Sequence, residues 1–233
     1  KNLGYGSAAP GETGQVILDL HRMNRILEVD PDSCTALVEP GVTYQQLYDY
    51  IQEKGYKLWL SVPAPSAIAG PVGNTLDRGV GYTPYGEHFM FQCGMEVVLA
   101  NGEMIRTGMG GIENSTSWQV FKWGYGPYLD GIFSQSNYGV VTKMGMWLMP
   151  EPPAYRPFLI QYPDPEDIEE IVEIMRPLRI AQIIPNAVVI VHTLWDAGTH
   201  VERKDYYDGP ESIPREAIER IKQDEGIGEW NIY

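Results

Sequence analysis

Cys34 and Cys93 are the only cysteines among 233 residues. Two thiols are too few for a disulfide scaffold, so each is expected to be a buried free cysteine. The four histidines, His21, His88, His192 and His200, are scattered and have no HExxH or CxxC partner, so no metal site is expected. Glu87, His88 and Cys93 fall close together but lack an ordered ligand spacing. Basic residues are also scarce: 17 Lys and Arg face 31 Asp and Glu, a formal net charge of -14. That balance argues against nucleic acid or an anionic membrane surface as partner, since both are held by clustered Lys and Arg. No apolar run reaches the length of a membrane span, and no charged start followed by a short apolar segment marks a signal peptide. The first residues read as the middle of a loop, so the native N-terminus is expected upstream. No GxSxG elbow surrounds Ser61, Ser66, Ser134 or Ser136, which removes support for serine hydrolase chemistry.

What is present is an ordinary globular composition, 43% hydrophobic and 21% charged, in a chain long enough to bury a sizeable core. Short apolar runs at 16–18, 25–29 and 35–38, separated by Gly and Pro, predict strands. Thr43 and Gln46 form a capping-box pattern. Tyr44, Leu47, Tyr48 and Ile51 then recur at helical spacing up to Gly55, predicting a helix over 44–54. Residues 95–100 and 103–107 flank Asn101-Gly102 and predict a hairpin with a type I′ turn. A further extended stretch at 139–149 ends in Pro150, Pro152, Pro153 and Pro157, which places a domain boundary near 150. Beyond it, Asp164 as N-cap and Pro165 open a helix with a buried stripe of Ile168, Ile171, Val172 and Met175, closing before Pro177. Residues 187–191 read as a buried strand and 214–221 as the start of another helix.

Three patterns could carry chemistry. Gly4, Gly6 and Ala9 have dinucleotide-fingerprint spacing, but Pro10, Gly11 and Gly14 follow where a Rossmann site needs a helix, so that reading is rejected. Residues 61–86 interleave Gly70, Gly73, Gly79, Gly81 and Gly86 with Pro63, Pro65, Pro71 and Pro84, a composition expected to hold neither regular helix nor strand. Such a loop lets backbone amides approach a ligand or form anion-binding nests; read alone, it is more often a connecting coil. Tyr5, Tyr82, Tyr85, Tyr125 and Tyr128 each lie beside glycine, where a phenol can bond a ligand oxygen or simply pack. Asp77 and Arg78 could meet ribose or phosphate, or pair with each other.

Several long strings go further: KNLGYGSAAP, VEPGVTYQQLYDYIQEKG, SAIAGPVGNTLDRGVGYTPYGEHFMFQCGMEVVLANGEMIRTGMGG, FKWGYGPYLDGIFSQSNYGVVTKMGMWLMPEPP and IPNAVVIVHTLW. Together they resemble the vanillyl-alcohol oxidase and p-cresol methylhydroxylase family of FAD-linked oxidoreductases, nearly end to end. The resemblance implies an α+β fold. Residues 1–150 would be most of a p-cresol methylhydroxylase-type FAD-binding domain, and 151–233 the start of an α+β substrate cap. Asn2, Leu3, Gly4, Tyr5 and Gly6 match the end of the family's pyrophosphate loop. Gly73, Asn74, Asp77, Gly79, Val80 and Gly81 match a second flavin-contacting loop, and Gly139, Val140 and Val141 a strand edge near the cofactor. Tyr5 and Tyr82 fall on positions whose hydroxyls help bind the phenolic oxygen of a 4-alkylphenol. The implied reaction takes a hydride from the benzylic carbon of the phenolate to FAD, leaves a quinone methide, and adds water to give a benzylic alcohol. The FAD is expected to be covalently held by a residue outside this chain. Oxidase members carry an aspartate after the Val-Pro matching Val62-Pro63, where this chain has Ala64, Pro65 and Ser66. That difference favours a dehydrogenase passing electrons to a cytochrome c subunit over an oxygen-dependent vanillyl-alcohol or eugenol-type oxidase; an inert fragment or flavin-free binding protein is the remaining alternative. A homodimer of flavin subunits and a periplasmic location complete what the resemblance implies.

Overall fold

The computed structural model describes residues 10–64 and 66–233. It divides into two compact units, one ending at Pro153 and the other covering Ala154–Tyr233.

In the first unit, β1 (Ile26–Asp30), β2 (Thr35–Val38), β4 (Gln92–Leu99), β5 (Met104–Arg106) and β6 (Gly139–Trp147) form one antiparallel sheet in the order β1-β2-β6-β4-β5. β3 (Leu58–Trp59) pairs separately with β7 (Met149–Pro150). Alternation divides the central strands between two faces. Met95 and Val97 enter the core, while Glu96 between them turns away to meet Arg106 and Lys143, its cross-strand neighbours, each at 2.9 Å. α1 (Tyr44–Lys54) forms as its caps require: Thr43 accepts from the Gln46 amide at 3.1 Å, and Gly55 closes the helix with φ 67°. Its Leu47 and Ile51 share the core with Val38, Val97, Val141 and Met144, each such burial contributing about 1.5–3 kcal/mol.

The second unit is a three-stranded antiparallel sheet, β8 (Ile160–Tyr162), β10 (Trp230–Ile232) and β9 (Ile190–His192), with β10 in the middle. α3 (Asp167–Ile180), α4 (Thr193–Ala197), α5 (Arg203–Tyr206) and α6 (Arg215–Glu225) accompany it. Antiparallel strands with separate helices make the chain α+β, as expected.

Several local expectations are corrected. Residues 16–18 form no strand and are exposed, Val16 at 94%, because no neighbouring strand pairs with them among the described residues. The hairpin after β4 has a three-residue loop with only Gly102 at positive φ, so it is not type I′; Asn101 instead spends its side-chain oxygen on the Glu103 amide. α3 starts at Asp167, although the Asp164 amide still bonds the Asp167 carboxylate at 3.0 Å. It runs through Pro177 because half-buried Leu178 continues the stripe of Ile168, Ile171 and Met175, at the loss of one helical bond. Val172 lies off that stripe and is 42% exposed. Cys93 is buried as expected, but Cys34 is only partly so.

Candidate functional site

The Gly- and Pro-rich segment contains a short helix after all, α2 (Pro71–Leu76), with Gly70 at its N-cap and Pro71 in the first turn. Pro71 suits that place because an N–H there would have no helical partner. Arg78 then adopts φ 54° and the chain reverses. The Gly79 amide returns to the Asn74 carbonyl at 2.8 Å, and the Gly81 amide bonds the Gly86 carbonyl at 2.8 Å. Between them, Thr83-Pro84-Tyr85-Gly86 is a β-turn with Pro at its second position, closed by Gly86 N–H to Thr83 C=O at 2.9 Å. Tyr85 stacks on Phe91 with ring centroids 4.1 Å apart, which fastens the loop to the 3-10 turn leading into β4.

These glycines are needed for close packing. A Cβ on Gly79 would strike the Asn74 side chain, and one on Gly81 would strike Ser61 and His88. Their amides bond inside the loop, so the anion nest read from the sequence does not use them. What they permit is tight approach of backbone to side chain.

That approach surrounds a buried imidazole. His88 is 7% exposed and Asn74 5%. His88 Nδ1 bonds Asn74 Oδ1, Nε2 lies 3.1 Å from Ser61 Oγ, and the Tyr44 hydroxyl approaches Nδ1 at 3.5 Å. Burial lowers the His88 pKa to about 4, outweighing the bond with Ser61, so the ring is neutral at physiological pH. With Asn74 Oδ1 as acceptor, the network places the proton on Nδ1 and leaves Nε2 to accept from the Ser61 hydroxyl. Burial also raises the Tyr44 phenol above its ordinary range.

The turn after α2 is tied to the approach to β6. Arg78 donates to Ser134 Oγ from Nε at 3.2 Å and Nη2 at 3.0 Å, in place of the Asp77 pairing considered from sequence. The Gln135 amide reaches the Leu76 carbonyl at 2.9 Å, and its side chain the Asp77 carbonyl at 3.1 Å. Beside these ties lies an open cleft of about 600 Å³ lined by Leu76, Asp77, Phe133, Gln135, Ser136, Asn137 and Gly139. β2 pairs only with Met144–Trp147 of β6. Residues 139–143 therefore have no strand partner on that edge among the described residues, and Gly139 at its start lines the cleft. Val141 is 4% exposed with its side chain in the core, so only its backbone is on offer. Carboxylate, amide and hydroxyl groups around an apolar wall suit the ribose and base portions of a dinucleotide, and the volume falls in the ordinary range for such ligands.

A second concavity of about 460 Å³ lies between α1 and the chain after β3, lined by Tyr44, Tyr48, Trp59, Val62, Pro63, Ala64 and Ser66 among others. Ala64 and Ser66, the described residues that follow Val62-Pro63, carry no carboxylate, although Glu151 also lines the concavity. Ser66 Oγ accepts from the Ile68 amide at 3.3 Å and holds the local turn.

The sequence-derived residues thus fall into groups. Asn74, Gly79 and Gly81 meet around His88; Asp77 and Gly139 border the larger cleft. Val80 is 54% exposed and pairs across the loop with Glu87; Gly73 is in α2 and Val140 opposite Val98. Tyr82 is 43% exposed, and its hydroxyl bonds no described residue. Asn2, Leu3, Gly4, Tyr5 and Gly6 lie outside the described residues. Tyr128 serves the interior: with Asp130 it takes hydrogen bonds from buried Gln92, at 2.5 and 2.6 Å, while Tyr125 is 86% exposed. His88, Ser61 and Tyr44 were missed. Only Tyr44 had a signal, its place on the apolar face of α1. Among the described residues no group of His, Cys, Asp and Glu could hold a metal ion, and no helix is long and apolar enough to cross a membrane.

Comparison with known proteins bears on this arrangement. A profile of the FAD binding domain family matches residues 1–108. The chain is 62% identical over 234 residues to the flavoprotein subunit of 4-cresol dehydrogenase (hydroxylating) from Pseudomonas putida, an alignment covering 100% of this chain and 45% of that protein. A crystal structure of p-cresol methylhydroxylase with substrate bound matches with a TM-score of 0.95 at 62% identity, covering 99% of this chain and 45% of the other. The 4-ethylphenol oxidase from Gulosibacter chungangensis, in complex with isoeugenol, also gives a TM-score of 0.95, at 42% identity, covering 99% and 44%. The chain spans a little under half the length of these relatives.

Proposed function

Because the chain belongs to the vanillyl-alcohol oxidase and p-cresol methylhydroxylase family of FAD-linked oxidoreductases, we propose that it is part of a flavoprotein that dehydrogenates and hydroxylates 4-alkylphenols. Identity of 62% along the whole chain with a 4-cresol dehydrogenase flavoprotein subunit carries this reading. Residues 70–81 and the 139–141 edge would hold FAD, with Asp77, Gln135, Ser136 and Asn137 offering polar groups to its sugar and base portions. When bound, FAD supplies a two-electron acceptor for the hydride released from the benzylic carbon of the substrate. In this reading, residues 1–150 are most of the FAD-binding domain and 151–233 the start of a substrate cap. The covalent attachment point lies outside the chain.

By the family resemblance, Tyr82 is the described residue that would bind the phenol. Its exposed hydroxyl donates to the phenolate oxygen, stabilising the negative charge whose electrons drive the hydride from the side chain. The resulting quinone methide takes hydroxide from water at the benzylic carbon, and the other water proton returns to the ring oxygen. One turnover thus removes two electrons and two protons and adds one oxygen atom.

The electrons pass to a cytochrome c subunit, in a homodimeric, periplasmic assembly. The 42% identity with an oxidase of unchanged fold supports oxygen as the alternative acceptor; the higher identity with the dehydrogenase and the absence of a carboxylate at Ala64 and Ser66 weigh against it. Turnover of 4-methylphenol with ferricytochrome c and with air-saturated buffer separates the two. Cytochrome reduction with little peroxide is expected; steady peroxide formation at the full turnover rate would establish the oxidase.

A further inference from the structure

We propose that His88 is a positioning residue of the phenol site, a clamp between Asn74 and Ser61 that fixes Gly81 and, through it, the neighbouring Tyr82. This deepens the phenol reading above and rests on it.

The Tyr82 hydroxyl bonds no described residue, and the side chain is 43% exposed. Its position comes from the backbone at Gly81. There three segments converge: a Cβ on Gly81 would fall 2.6 Å from His88 Nε2, 2.9 Å from the Val62 carbonyl oxygen, and closer still to Ser61 Oγ. His88 is the shared contact. Nδ1 anchors it to Asn74 on α2, and Nε2 reaches Ser61 at 3.1 Å, directly before the Val62–Ala64 segment. The imidazole has no exposed route to a substrate, being 7% accessible, so it acts through Gly81 and Ser61 and does no chemistry itself. Its two arms differ in what they hold. The Asn74 arm fastens the ring to the helix; the Ser61 arm sets the spacing between the two loops that flank Tyr82.

Substitutions separate the arms in the full-length flavoprotein. His88→Gln keeps an acceptor near the Nε2 position, His88→Asn keeps a donor near Nδ1, and Ser61→Ala deletes the second arm from the other side. Readouts are the KM for 4-methylphenol, the Kd of 4-bromophenol (a phenol without a benzylic hydrogen) from its perturbation of the flavin spectrum, FAD content and Tm. Ser61→Ala and His88→Asn are expected to raise both KM and Kd about tenfold, the worth of one hydrogen bond, with FAD content and Tm held; His88→Gln should stay within about threefold of the parent. An unchanged KM and Kd in Ser61→Ala overturns the clamp, and so does a loss of FAD and Tm that tracks KM equally in all three variants. Should the parent protein neither bind 4-bromophenol nor oxidise 4-methylphenol, the phenol reading falls and takes the clamp with it. Should it do both while the variants match it, only the clamp falls.

Discussion

Gly81 and His88 are packed so closely that a methyl group on the glycine would fall 2.6 Å from the imidazole Nε2. The same methyl would meet the Val62 carbonyl at 2.9 Å, a backbone atom that cannot rotate away. Gly81→Ala should therefore lower stability by about 1–3 kcal/mol, the usual cost of overpacking, measured by thermal unfolding. Gly102→Ala is a useful contrast: nothing lies within 4 Å of its added methyl, so its cost comes only from its φ of 85°. Equal losses arising solely from backbone strain would contradict the packing at Gly81.

The same buried imidazole makes stability depend on pH. Its partners are Asn74, Ser61 and Tyr44, with no carboxylate among them to favour the protonated ring. Burial lowers the folded-state pKa to about 4 from an ordinary 6.5. The unfolded chain then binds the proton first as pH falls. The neutral ring's contribution is fully present above about pH 6.5 and is lost progressively down to about pH 4, on the order of 3 kcal/mol. Urea unfolding of the parent and of His88→Gln from pH 7 to 4 should show the parent losing more stability toward acid than the variant. Parallel curves would rule out the neutral buried histidine.

In the proposed function, Tyr82→Phe removes the hydroxyl that would meet the phenolate oxygen. A hydrogen bond to a charged group contributes about 1.5–3 kcal/mol, so flavin reduction by 4-methylphenol should slow by roughly 10- to 100-fold. Anaerobic rapid mixing measures it directly. An unaltered rate would remove Tyr82 from the site.

In the second unit, Glu229 is 1% exposed and accepts from Arg215 at 2.6 Å, Lys222 at 3.1 Å and His192 at 3.1 Å. Burial would raise its pKa, but the bonds from Arg215, Lys222 and His192 outweigh it and hold the carboxyl below the ordinary range. Its stabilisation is present above the usual carboxylate range and disappears as pH falls through the lower folded value. Glu229→Gln should destabilise this unit by about 3 kcal/mol at neutral pH, because two cations lose their buried partner. Urea unfolding followed by Trp230 fluorescence checks it; an unmoved midpoint would refute the hub.

Sequence showed well whatever local rules decide. α1 carried its own caps, Thr43 and Gly55, and formed over the expected residues. β4 and β6 announced themselves as apolar stretches ending in turns. Context decided the rest. Residues 16–18 look like a strand but have no partner among the described residues; Pro177 looks like a stop, but Leu178 still has something to bury. α2 was hidden by glycine and proline, although Pro71 sits where helices tolerate it. In the site, family resemblance marked Asn74 and Gly81. It did not mark His88, whose meaning depends on a contact with a residue 14 positions away and another with Ser61, 27 away. No spacing rule encodes such a meeting.

The measurement that bears most directly on the whole account is anaerobic addition of 4-methylphenol to the full-length flavoprotein, followed by the flavin absorbance. Phenol oxidation by this protein predicts bleaching of the oxidised flavin band to the two-electron reduced form, with 4-hydroxybenzyl alcohol formed in equal amount. A flavin that keeps its oxidised spectrum in saturating 4-methylphenol, or a protein that carries no flavin, would contradict it.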